Sequence, residues 1–345
     1  EWVVRNIVSF DPVRREVFVQ TSGRCKKWDP YYRDLVRIDV DTGDITTLIS
    51  DDLDCMAIAS QTHHTITISN IKDVNKDSCA LSPTGNFFVV TLSRADKIPV
   101  SSLFDRNGNI VLELEVANIC SLYSEVSPDF IFPEPVKLKA ADNKTDIYGL
   151  VFRPSDFSPD NVYPVVDFTN NSPDFPLVPK GSFSNGTVLD WVFLSGAMLA
   201  ELGFIVVQID GRGTSFRSKA FQDESYGKIH YANNLDDHIA GIRQLATKYN
   251  YMDLNRVGIT THATDGPGAL LGLLKYPDFY KVGVAFSVLD SRLMSSSMWS
   301  NMNGGVSEQK QNDRYFEDLV ENLKGKLLLM HGMRNTICPP TGVFR

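Results

Sequence analysis

The chain contains no run of eighteen apolar residues, so none of its helices is expected to cross a membrane. Its opening, Glu1-Trp2-Val3-Val4-Arg5, lacks the charged start and apolar stretch of a secretory signal. It reads as the interior of a strand, and further sequence ahead of it is expected. Basic excess is also missing: 34 Lys and Arg stand against 42 Asp and Glu, a net charge of −8. That balance argues against nucleic acid as a partner. Cysteine is sparse and odd in number, at Cys25, Cys55, Cys79, Cys120 and Cys338, with no CxxC pair. Such spacing excludes a zinc ribbon and reads as free thiols. Sequons at Asn143, Asn170 and Asn185 are no more than chance supplies for this composition. What remains is 345 residues, 43% hydrophobic, enough for two domains with a sizeable core.

Residues 1 to about 130 read as short strands between turn signals. The first group is Trp2–Ser9, Glu16–Thr21, Asp34–Val40 and Ile45–Ile49, with Asp41-Thr42-Gly43 turning the last pair. The second is Thr65–Ile71, Asn86–Leu92, Val100–Phe104 and Ile110–Glu115. Two groups of four antiparallel strands suit two blades of a β-propeller, with a small β-sandwich as the rival. Phe130-Ile131-Phe132-Pro133-Glu134-Pro135 reads as a linker. Beyond it, from 131 to 345, strands and helices alternate, the pattern of a mostly parallel, doubly wound sheet. The strands are Ile147–Phe152, Val165–Phe168, Phe204–Ile209, Val257–Thr260, Val282–Phe286 and Lys326–Met330. Helices are predicted over Val188–Leu202, Asn234–Tyr249, Gly268–Lys275 and Arg314–Leu323. In the second of these, Leu235, Ile239, Ile242 and Leu245 make an apolar stripe at helical spacing.

One segment concentrates the functional information. The apolar strand Val257–Thr260 runs into Thr261-His262-Ala263-Thr264-Asp265-Gly266, and an apolar helix follows. An α/β-hydrolase places its G-x-S-x-G nucleophile elbow in such a strand–turn–helix unit. Here Ala263 takes the serine position, and Thr261 and Asp265 take the glycine positions, where left-handed, crowded backbone favours glycine.

The order of segments resembles the prolyl oligopeptidase clan, in its dipeptidyl peptidase IV-like branch. The resemblance rests on Asp142-Asn143-Lys144-Thr145-Asp146-Ile147-Tyr148-Gly149, Phe152-Arg153-Pro154 and Tyr163-Pro164-Val165-Val166. Asp210-Gly211-Arg212-Gly213-Thr214 and Leu323-Lys324-Gly325-Lys326-Leu327-Leu328-Leu329-Met330-His331-Gly332 add to it. It implies a partial propeller of about two blades over 1–130. It also implies a peptidase-like α/β-hydrolase domain over 131–345, incomplete at its C-terminal side. Carried over by position, the family's nucleophile falls on Ala263 and its catalytic acid on Asn335. The oxyanion donors fall on Asn170 and on the backbone of Thr264. The family's histidine lies some thirty residues past Asn335, and the sequence ends at Arg345 before reaching it. Five departures together point to a decayed site rather than a single inactivating change. The resemblance further implies a peptide ligand, pairing of two copies through the hydrolase domain, and a periplasmic or extracellular setting. No cofactor is expected.

Other chemistry-bearing residues have plainer readings. Asp236, Asp237 and His238 are adjacent on a helix and point apart, which disfavours a shared metal. His262 and His331 read as packing, and Ser295-Ser296-Ser297 as surface or capping residues. Asp210, Arg212 and Arg217 are expected to form one hydrogen-bonded network holding the loop after the third strand. Asp265 is expected to cap a helix or face solvent.

Overall fold

The computed structural model describes residues 2–57, 81–82, 84–118, 130–169, 176–182, 188–228, 234–261, 266–288, 316, 318–336 and 340. They fall into two compact units. The first comprises residues up to Pro128 together with Pro179–Phe193 and Phe216–Ser218. The second holds Asp129–Val178, Leu194–Ser215 and Lys219–Arg345.

The first unit is all β. Strands β1 (Val3–Asp11), β2 (Glu16–Ser22), β3 (Arg33–Asp39) and β4 (Ile45–Ile49) form one antiparallel meander. A second meander is β5 (Asp54–Ala57), β6 (Phe87–Arg94), β7 (Lys97–Asp105) and β8 (Ile110–Val116). Each has the form of a propeller blade. The predicted strand at Thr65–Ile71 lies outside the described residues, and β5, only four residues long, supplies the fourth strand of the second group. Val8, Phe18, Leu35, Leu48, Cys55, Phe88, Val90 and Phe104 share one buried core, so the two meanders exclude water together. Polar bonds reinforce that core. Gln20 donates to the Cys55 carbonyl at 2.9 Å, and buried Asp54 pairs with Arg33 at 2.6 Å. Residues 179–193 enter this unit too. Lys180 donates to Asp29 at 3.1 Å and lies 4.4 Å above the Tyr31 ring.

The second unit is built on a seven-stranded sheet. Its strands are β9 (Glu134–Lys139), β10 (Asp146–Phe152), β11 (Tyr163–Thr169), β12 (Ile205–Asp210), β13 (Met252–Thr261), β14 (Tyr280–Phe286) and β15 (Lys326–Met330). The spatial order is β15-β14-β13-β11-β12-β10-β9. From β12 to β15 neighbouring strands are parallel, and β10 and β9 close one side antiparallel. The inversion of order at β11 and β12 is that of an α/β-hydrolase sheet. β9 begins inside the segment expected to be a linker, at Glu134 and Pro135. Pro135 sits on an edge strand, where one side needs no N–H donors.

Helix α1 spans Val188–Glu201, α2 Lys219–Gln222, α3 Leu235–Lys248 and α4 Gly266–Lys275. Leu235, Ile239, Ile242 and Leu245 of α3 are buried, as their spacing predicts. The longer helix predicted at Arg314–Leu323 appears, among the described residues, only as a 3-10 turn over Val320–Asn322. α4 lies close on β13 and β14: a Cβ on Gly272 would stand 2.7 Å from Ile259 and 3.3 Å from Tyr280.

Gly149 shows how tightly the sheet is built. A Cβ there would stand 2.4 Å from the Gln208 carbonyl oxygen of β12, which is backbone and cannot swing away. Gly149→Ala is expected to destabilise the chain by about 3 kcal/mol through overpacking. Urea unfolding followed by circular dichroism measures it, and an unchanged midpoint would show that β10 and β12 separate without cost.

Candidate functional site

In open α/β sheets, ligands bind beyond the carboxyl ends of the strands. Here β11 ends at Thr169 and β13 at Thr261, and these two residues are partners in the parallel register. Asn170 and His262 therefore follow directly from adjacent strand ends. α4 starts at Gly266, so residues 262–265 join β13 to the helix, the place an elbow occupies. Ala263, Thr264, Asn170, His262, Asp265 and Ser295–Ser297 themselves lie outside the described residues.

Asn335, the residue expected at the acid position, is described. Asn335 follows β15 by five residues, and its N–H donates to the Gly332 carbonyl at 3.0 Å. Its side-chain amide donates to Ser287 Oγ at 3.3 Å. Ser287 follows β14, sits at φ +48°, and donates its N–H to the Met330 carbonyl at 2.8 Å. The backbone thus holds Asn335 at the strand-end side of the sheet, with β14 between β15 and the strand that leads into the 262–265 turn. Asn335, expected at the acid position, carries no charge. A neutral amide cannot stabilise an imidazolium as a carboxylate does.

Below the strand ends lies a polar cluster that the sequence reading did not assemble. Asp167 of β11, Thr169 of β11, His238 of α3 and Tyr280 of β14 are all fully buried. His238 Nδ1 donates to Asp167 Oδ1 at 2.8 Å, and the Tyr280 hydroxyl donates to Asp167 Oδ2 at 2.7 Å. Thr169 Oγ1 lies 3.4 Å from His238 Nε2. Burial alone would push the His238 imidazolium down, but the adjacent Asp167 carboxylate holds it above the ordinary histidine value. Burial likewise pushes the Tyr280 phenol well up, which keeps it a donor. The one sequence signal was Asp167 itself, a charge inside the apolar run Val165-Val166-Asp167-Phe168.

The three adjacent residues on α3 do point apart. Asp236 accepts from the Tyr276 hydroxyl at 2.7 Å. Asp237 accepts from Arg212 and from the Ala141 N–H, and His238 turns to Asp167. Asp210 accepts from the backbone N–H groups of Leu177 and Val178, at 2.7 and 3.1 Å. Arg212 reaches Asp237 at 2.9 Å and Asp142 at 3.4 Å. Arg217 belongs to the first unit, where its guanidinium lies 5.9 Å from the Tyr31 ring centre. Among the described residues no group of three His, Cys, Asp or Glu is arranged to hold a metal ion. None of the described helices is long and apolar enough to span a membrane.

Comparison with known proteins adds an independent line. Residues 191–345 match the prolyl oligopeptidase family. Dipeptidyl peptidase 8 of Homo sapiens is 27% identical over 211 residues, which are 59% of this chain and 23% of that protein. A dipeptidyl aminopeptidase IV-like structure from Bacteroides ovatus superposes with a TM-score of 0.76 at 22% identity. Dipeptidyl peptidase 4 of Porphyromonas gingivalis superposes with a TM-score of 0.71 at 20% identity. Each superposition covers 99% of this chain but 44% of the solved one, and at these identities each speaks for the fold alone.

Proposed function

We propose that the chain, whose residues 191–345 match the prolyl oligopeptidase family, is a catalytically silent member of that family of serine peptidases. In this reading it keeps the peptidase scaffold for binding a peptide ligand, or for pairing two copies through the hydrolase unit, in a periplasmic or extracellular setting. The observation that carries the proposal is the turn between β13 and α4. It is the strand-to-helix junction where the family's nucleophile belongs, and its second residue is Ala263. Acyl transfer needs a nucleophile, a base to take its proton and an acid to orient that base. A methyl side chain offers no nucleophile, and Asn335 at the acid position offers no charge. The second reading, an active serine dipeptidyl peptidase, is supported by the identity to dipeptidyl peptidase 8.

One pair of measurements separates the two. The chain is incubated with a fluorophosphonate probe, and separately assayed with a chromogenic X-Pro substrate. No labelling and no turnover are expected. Turnover that survives purification and disappears with a serine-directed inhibitor would establish the active reading instead.

A further inference from the structure

We propose that Asp167, His238, Thr169 and Tyr280 form a proton-linked latch, in which a buried imidazolium ties α3 to β11 and loses its hold when alkaline pH removes the proton. The geometry sets the charge. Asp167 is fully buried, and an ionised carboxylate out of water needs a compensating partner. The Tyr280 hydroxyl gives it a hydrogen bond but no charge. The group that touches its other oxygen is His238. Among the described residues, the other charged groups that act most on His238 are carboxylates. Asp210 of β12 and Asp237 on the helix itself add negative field. Arg212 is engaged by Asp237 and Asp142. Protonated His238 sets a positive charge beside the Asp167 carboxylate, 2.8 Å away, and neutral His238 removes it. An imidazolium also fits the hydrogen bonds: Nδ1–H donates to Asp167 and Nε2–H to the Thr169 hydroxyl.

The consequence has a definite sign. A histidine held above its ordinary value in the folded chain contributes its full stability below about pH 6.5, the unfolded value. That contribution declines as pH rises through the folded value. The latch joins residues far apart in sequence, 71 between Asp167 and His238 and 113 between Asp167 and Tyr280. Its loss therefore acts on the packing of α3 against the sheet, not on a local turn.

The test uses the full chain with its six histidines labelled in the ring nitrogens and followed by NMR from pH 5 to 10. At pH 7.5 one imidazole is expected to show both nitrogens protonated, with N–H groups protected from exchange and close to Tyr280. Every histidine titrating at or below about 6.5, or a neutral ring beside Tyr280, would overturn the latch. A second readout is the urea midpoint against pH. It is expected to fall as pH rises above about 6.5 in the native chain and to stay flat in His238→Gln. Asp167→Asn is expected to move the His238 titration down to 6.5 or below. If either variant fails to fold, the native NMR titration and the native urea midpoint decide, since a midpoint that is flat or rises over this window contradicts the proposal.

Discussion

Restoring serine at position 263 is expected to leave X-Pro hydrolysis at background. The hydroxyl alone is a weak nucleophile, and its proton must pass to a base that a carboxylate orients and stabilises. The position where the carboxylate is expected has Asn335, a neutral amide whose nitrogen donates to Ser287. In a serine triad the acid-to-amide change costs about 10⁴ in rate. The turn itself adds further cost. Thr261 is buried at the end of β13, and among the described residues its hydroxyl has no hydrogen-bond partner. Thr261 and Asp265 stand in the sequence where a nucleophile elbow carries glycine, and a carboxylate at the second position is expected to oppose a developing oxyanion. The measurement is kcat/KM of the Ala263→Ser protein with a chromogenic X-Pro substrate. Recovery to within about tenfold of an active relative, ~1.4 kcal/mol of barrier, would mean that these departures are compensated and the site is not decayed.

The largest stability effect is expected at Asp237. This carboxylate is fully buried at the start of α3 and accepts from Arg212 three ways through its side chain, at 2.9, 3.1 and 3.1 Å. It also accepts the backbone N–H of Arg212 at 2.8 Å and that of Ala141 at 2.9 Å. One side chain therefore satisfies the loop after β12, the turn after β9 and a guanidinium together. Asp237→Ala removes every acceptor at once and leaves two part-buried backbone donors and the guanidinium without it. Breaking a buried pair by removing one partner costs about 3–5 kcal/mol. Because Arg212 is a quarter exposed and can turn to water, the lower end, ~3 kcal/mol, is expected. Asp237→Asn keeps one acceptor oxygen and is expected to lose about half as much. Urea unfolding at pH 7 gives both values. A loss below about 1 kcal/mol for Asp237→Ala would show that the loop, the turn and α3 are held by other contacts.

How much of this was legible without coordinates differs from residue to residue. The strands from β10 to β15 stand where alternation and apolar runs in the sequence put them, because each pattern is a property of neighbours a few positions apart. The α3 stripe was legible for the same reason. β9 was not, since Pro133 and Pro135 read as a breaker and only the finished sheet makes that segment an edge. β5 is too short, at four residues, to carry a period. The degenerate turn at 261–266 was visible because strand, turn and helix are contiguous in the chain. By itself the sequence therefore determined the class of each half and where the main strands lie along the chain, and it placed Ala263 where a nucleophile is expected. The buried cluster was decided by tertiary structure alone. Asp167, His238 and Tyr280 carry no shared spacing, and each taken singly reads as an anomaly or as packing. They meet because parallel pairing sets β11 and β14 on either side of β13 and seats α3 over the sheet. A charge in an apolar strand can persist only where that closure delivers its partners, and closure is a property of the whole sheet, not of any segment within it.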